Sequence, residues 1–194
     1  MNPGRLFLVS APSGAGKSSL VAAVIEQLAS SYSIRRVITY TTKHPRQGEV
    51  EGVDYHYIGE VEFLRKLDEG FFLESSTAYH AYYGSPRSII TDLAQGHSWI
   101  LVVDRVGALR ILEEVSDVVA IWITVPFNSL AQRLRERGTE SEEQIQYRIE
   151  QGKSEQAQED ARSLYSHVIV NDDFNSAVVQ LGNLIISYID AARR

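Results

Sequence analysis

The sequence predicts an α/β fold built on a parallel sheet, and three observations carry that prediction. Apolar runs of strand length alternate with helical patterns through most of the 194 residues. The runs at 6–9, 99–103 and 118–123 are continuously apolar, as strands covered on both faces must be. The first run also passes through a short glycine-bearing loop straight into a helical pattern. A chain of this length forms one domain with small insertions, and its 44% hydrophobic and 23% charged content is ordinary for a globular protein.

In chain order, LFLV at 6–9 is the first strand and stops at Ser10, and a helix follows over about 18–30. RVITY at 36–40 has the β-branched content of a second strand. The composition then changes. TTKHPRQGEVEGVDYHY at 41–57 is polar, basic and punctuated by Pro45, Gly48 and Gly52, which reads as an insertion outside the central sheet. A short helix at 61–67, FFLE at 71–74 and an aromatic turn at 81–85 follow. A helix at 86–94 is expected to hold Pro86 in its first turn. The buried strand patterns at 99–104 and 118–123 lead to a helix at 128–137 and a polar helix at 141–159, with Ser141 as its N-cap. Strand 167–170, a turn at 171–173 and helix 175–192 complete five strands.

Residues 11–18, APSGAGKS, match the phosphate-binding pattern G-x-x-x-x-G-K-[ST] at every fixed position except the first, Ala11. Pro12, Ser13 and Ala15 fill the loop, and Ser19 follows it. Gly14 and Gly16 let successive N–H groups converge on phosphate oxygens at a helix N-terminus. Lys17 supplies a cation for the outer phosphates, and the Ser18 hydroxyl is placed to reach Mg²⁺. The strand before and the helix after supply the context this motif needs, so a nucleoside triphosphate is the expected ligand.

Composition excludes several other classes. Without cysteine there is no disulfide framework, thiolate metal site or thiol nucleophile. A net charge of −6 argues against general nucleic-acid binding. No run approaches the roughly 20 apolar residues of a membrane span, and the first apolar run is too short for a signal peptide. A soluble, cytoplasmic protein is expected. The five histidines show no metal-site spacing, and Trp99 and Trp122 read as core.

Other residues carry charge suited to a nucleotide. Asp104 ends an apolar strand, where a carboxylate can assist Mg²⁺, contact a ligand or simply face solvent. Lys43, Arg46, Tyr55 and Tyr83 offer cations and hydroxyl donors to a phosphate, although a Lys-x-x-Arg pair alone also suits an exposed polar face. Glu74, behind Phe71-Phe72-Leu73, could accept two N–H groups from a base edge or form an ion pair. Arg133, Arg135, Arg137 and Arg148 could neutralise a transferring phosphoryl group, or balance Glu136, Glu140, Glu142 and Glu143 on an exposed face.

Taken together these segments resemble guanylate kinase, a family of P-loop nucleoside monophosphate kinases. The resemblance rests on SAPSGAGKSS, TTKHPRQGEVEGVDYHY, FLE with AYYGS, RLRERGTESEEQIQYR and VIVNDD, in that order over nearly the whole chain. It implies a P-loop nucleoside kinase fold, with a five-stranded parallel sheet flanked by helices, a core of 1–38 and 87–194, a GMP-binding insertion at 39–86 and a lid at about 137–152. It implies ATP as phosphoryl donor, Mg²⁺, and GMP or dGMP as acceptor. Arg46, Tyr55, Tyr83 and Lys43 would hold the acceptor phosphate. Thr39, Glu74, Ser85 and Asp104 would read the guanine edge. Lys17, Arg137 and Arg148 would act on the transferring group, Arg133 and Asn171 would lie near adenine, and Ser18 would ligate the metal.

The chain departs from the family pattern at four positions. Lys43 stands where an arginine is usual, trading a bidentate fork for a point charge. Val102, Arg105 and Val106 interrupt the D-I-D-x-Q-G pattern, and the first of these removes a carboxylate near the metal and phosphates. Two alternatives therefore stand beside the main reading: a related kinase with a different monophosphate acceptor, and a binding module that keeps the pocket without turnover.

Overall fold

The computed structural model describes residues 3–12, 14–78, 80–136, 138 and 141–192. The chain runs through β1 (Leu6–Ser10), α1 (Lys17–Leu28) and β2 (Ile34–Arg36). It then forms β3 (Thr39–Thr41), β4 (Tyr55–Tyr57), α2 (Glu60–Asp68), β5 (Phe72–Ala78) and β6 (Ala81–Pro86). After α3 (Ile89–Ala94) come β7 (Ser98–Val102), α4 (Arg105–Glu114), β8 (Val118–Thr124) and α5 (Phe127–Glu136). The chain closes with α6 (Glu142–Ala161), β9 (His167–Val170) and α7 (Phe174–Ala192).

Five strands pair in the order β2-β7-β1-β8-β9, and every pairing among them is parallel. This is the sheet the apolar runs predict. All five residues of β1 are buried, because helices cover both faces. Phe7 and Val9 point to a cluster with Val24, Leu130, Leu181 and Ile185. Leu6 and Leu8 point the other way, to Ala108, Ile111 and Trp122. Each such side chain contributes roughly 1.5–3 kcal/mol on leaving water, which is why β1 can carry an irregular loop at its end. In a sheet of this kind ligands gather at the carboxyl ends of the strands. Here the ends of β1 and β7 lie side by side, with Val9 in register with Val102.

A second sheet runs β4-β3-β6-β5, with β3 and β4 parallel and the other pairings antiparallel. It has its own aromatic packing. Phe63 of α2 is fully buried and stacks on Phe72 at 4.6 Å and on Tyr82 at 5.3 Å between ring centroids.

The structure corrects four expectations. The single strand expected at 36–40 is two strands serving different sheets: Val37 N makes a bond to Ile100 O, and Thr39 then pairs with Tyr55. Residues 81–85, read as an aromatic turn, belong to β6, whose alternating side chains pair with β5. Pro86 ends that strand rather than starting a helix, which begins at Ile89. Trp99 is only partly buried, packed against the rim of the second cluster, whereas Trp122 is core. An unforeseen helix, α4, follows Asp104, which serves as its N-cap. Among the described residues no helix is long and apolar enough to cross a membrane.

Candidate active site

The loop after β1 builds the first half of the site. Gly16 sits in the left-handed region at φ 84°, and a Cβ there would stand 2.8 Å from Asn171 Nδ2. Glycine is therefore required twice over, by backbone and by space. Asn171 is buried and braces the loop, its Nδ2 donating to Ala15 O at 2.7 Å and its backbone N to Thr124 O at 2.8 Å. Pro12 and Ala15 are buried beneath the loop surface. Lys17 opens α1 and arcs back over the loop, with Nζ donating to Ala11 O at 2.5 Å and to Pro12 O at 3.3 Å. Ser18 and Ser19 are exposed in the first turn of α1, beside N–H groups that have no partner within the helix.

The second half lies between β5, β6 and the start of α4. Glu74 is 4% exposed and pairs across the strands with Ser85, whose Oγ donates to Glu74 Oε1 at 2.5 Å. Burial pushes the Glu74 carboxyl up to about 7, and the Ser85 hydroxyl only partly offsets it. Asp104 caps α4 by accepting from Gly107 N at 2.8 Å, while its other oxygen accepts from Ser76 Oγ at 2.6 Å. Gly107 permits this arrangement, since a Cβ there would lie 2.6 Å from Glu74 Oε2. Two carboxylates thus gather at the positive end of a helix.

Beside them is a cluster of cations and tyrosines. Lys43 Nζ bonds both carboxylate oxygens of Glu49, at 2.6 and 2.7 Å, and stands 4.5 Å from the Tyr55 ring centroid. Burial lowers the Lys43 pKa, and the Glu49 carboxylate opposes that shift. Glu49 also accepts from Tyr57 OH at 2.9 Å and from the backbone N of Arg46 at 2.8 Å. Burial raises the Tyr83 hydroxyl to about 12, so it remains a donor. Lys43 is thus held in place by a carboxylate.

The two halves line one cavity of about 500 Å³. On one wall stand Ala11, Gly14, Gly16, Lys17, Ser18 and Ser19. Across from them are Thr39, Lys43, Arg46, Tyr55, Glu74 and Tyr83, with Asp104 and Arg148 completing the wall. Ser85 lies behind Glu74. Arg133 reaches Asp172 O at 3.0 Å, and Arg135 ion-pairs with Glu142, as an exposed balanced face would. Ser13 and Arg137 lie outside the described residues. Val102, Arg105 and Val106 all line the cavity, and the Arg105 guanidinium pairs with Glu159 of α6. Sequence reasoning missed Glu49, Ser76 and Gly107 as site residues. Ser76 could have been found, since it sits two residues after Glu74 and shares its face of a strand.

The comparisons agree with this geometry. A family model described as guanylate kinase matches residues 3–188. A guanylate kinase of Caldanaerobacter subterraneus is 38% identical over 186 residues, covering 95% of this chain and 87% of that protein. One from Vibrio parahaemolyticus is 40% identical over 181 residues, covering 92% and 86%. The crystal structure of guanylate kinase from Anaplasma phagocytophilum superposes with a TM-score of 0.76 at 27% identity, covering 96% of this chain and 87% of that one. With a phosphate loop and a buried carboxylate pocket facing each other across one cavity, this chain belongs to the guanylate kinase family.

Proposed function

We propose that the protein transfers the γ-phosphoryl group of ATP to GMP, reversibly, giving ADP and GDP, with dGMP as a second acceptor. The observation that carries this reading is the cavity itself, which joins a triphosphate loop to a pocket ending in the buried Glu74 carboxylate. A guanine edge presents two neighbouring N–H donors, and an ionised carboxylate is their natural acceptor. Ser85 holds Glu74, while Asp104 is fixed by Ser76 and Gly107 beside it. Lys43, Arg46, Tyr55 and Tyr83 take the acceptor phosphate. In this reading residues 39–86 form the acceptor-binding insertion, 1–38 and 87–194 the core, and about 137–152 the lid.

Catalysis here is positioning and charge neutralisation, with no covalent intermediate. Lys17 and the first-turn amides of α1 hold the donor phosphates, and Arg137 and Arg148 meet charge on the transferring group. Arg133 and Asn171 would lie near the donor base. Among the described residues no group of three or more His, Asp or Glu could hold a metal. The exposed Ser18 hydroxyl in the first turn of α1 is a hard oxygen ligand of the kind Mg²⁺ accepts beside phosphates and water. Ser18 would hold the ion, and when bound it would neutralise the negative charge between the phosphates. Closure over the cavity would exclude water and so protect ATP from hydrolysis.

A coupled assay of ADP release with GMP, dGMP, AMP, UMP and CMP tests the proposal. Turnover selective for the guanine nucleotides is expected, with a loss of about 10²-fold or more in Lys17→Ala, the scale of removing one transition-state contact. Turnover confined to another acceptor would overturn it, as would GMP binding without turnover.

A further inference from the structure

Helix α6 presents two adjacent stripes. Tyr147, Arg148, Gln151 and Glu155 line the cavity, while Ile145, Ile149, Gly152 and Glu159 are buried. At 3.6 residues per turn, rotating the helix by one position, about 100°, would swing Arg148 away from the cavity. Something must fix that rotation. The N-terminal part of the buried stripe is aliphatic, but beyond Gly152 the helix is held by polar contacts. Gln156 Oε1 accepts from Trp122 Nε1 at 2.9 Å and from Thr124 Oγ1 at 3.0 Å, both on β8. One turn further on, Glu159 pairs with Arg105 at the start of α4, and their side chains are only 5% and 11% exposed. Glu159 also accepts from Leu164 N at 2.9 Å and Tyr165 N at 3.2 Å, and Arg105 donates to Arg162 O at 2.7 Å.

Aliphatic contacts tolerate small rotations, whereas these do not. A slip would strand the buried Trp122 donor and leave the largely buried Arg105 and Glu159 charges unmatched, both of which are costly in a desolvated setting. We infer that Gln156 and the Arg105–Glu159 pair form a polar latch that sets the rotation of α6 and thereby aims Arg148 at the phosphate loop. They are positioning residues for phosphoryl transfer, acting through Arg148. The inference rests on the role given to Arg148 in the proposed function. It also gives Arg105, one of the departures from the family pattern, a task.

The test is a double-mutant cycle. Gln156→Met keeps the side-chain length and removes the acceptor, and Glu159→Gln keeps the shape and removes the charge. Either variant that retains a cooperative thermal transition decides the matter. The expected result is a fall in kcat of about tenfold or more, given that displacement by about 1 Å can cost 10²-fold, with KM for GMP changed by less than about twofold. In an Arg148→Ala background the same change should produce no further fall. Equal falls in both backgrounds would overturn the latch, as would an unchanged kcat or a loss confined to KM. A wild-type enzyme without GMP turnover would instead overturn the proposed function, and the latch with it. An active wild type with additive losses overturns the latch alone.

Discussion

Burial holds the Glu74 carboxyl near 7, well above the 4.5 of an exposed glutamate, so ionising it within the fold costs free energy. The sign follows by linkage. The neutral form is favoured by folding, so its stabilising contribution is complete below about pH 4.5 and is lost as pH rises through 7. Glu74→Gln removes the titration. Relative to its stability offset at pH 4, the variant should gain on the wild type in chemical denaturation as pH rises, by roughly 3 kcal/mol at pH 8.5 or above. Discrimination between GMP and AMP should collapse in the same variant, and retained discrimination would refute the guanine-reading role. The sequence marks Glu74 as unusual because it follows three apolar residues. Its partners were less legible. Ser76 and Gly107 matter through a strand face and a close approach of 2.6 Å, which only the assembled fold creates. Glu49 is likewise visible only once the turn returns it to Lys43.

At the scale of the element, α4 is the informative case. Its first turn carries Gly107, ordinarily a poor helix former, and replacing it with alanine would favour an isolated helix by about 1 kcal/mol. In this protein the added methyl would press on Glu74, so Gly107→Ala should raise KM for GMP about tenfold or more while the enzyme stays folded, which steady-state kinetics beside a melting curve would show. That glycine also helped to hide α4 from the sequence, together with Val106 and Arg105, which break the apolar spacing. Buried parallel strands were legible because their whole run is apolar, as in β1 and β8. Strand β6 was not, since Gly84 and Pro86 resemble turn punctuation. Gly84 is there because a Cβ would meet the Phe72 ring at 2.8 Å. The polar helix α6 was legible from its cap: Ser141 and Gln144 form the reciprocal capping box.

For the whole molecule, the cavity joins two sheets with separate packing, so a ligand that fills it should stabilise the fold as a unit. GMP at about 100 times its Kd should add about 2.7 kcal/mol. For a chain of this size that is a rise in Tm of roughly 5–10 °C, and CMP at the same concentration should give no comparable shift. Differential scanning fluorimetry would measure both. The split of one extended run at Val37 and Ile38 has a larger consequence. Between that point and Pro86 the chain pairs only within the second sheet, and it re-enters the central sheet at β7. Under the proposed function, the loop that holds the donor and the sheet that reads the acceptor would therefore be written in separate stretches of polypeptide. On that reading, a lineage could revise what it phosphorylates by editing 39–86 without rewriting 6–20. What such edits must respect is a short border, where Asp104 and Gly107 of the central framework meet Glu74 and Ser76 of the second sheet.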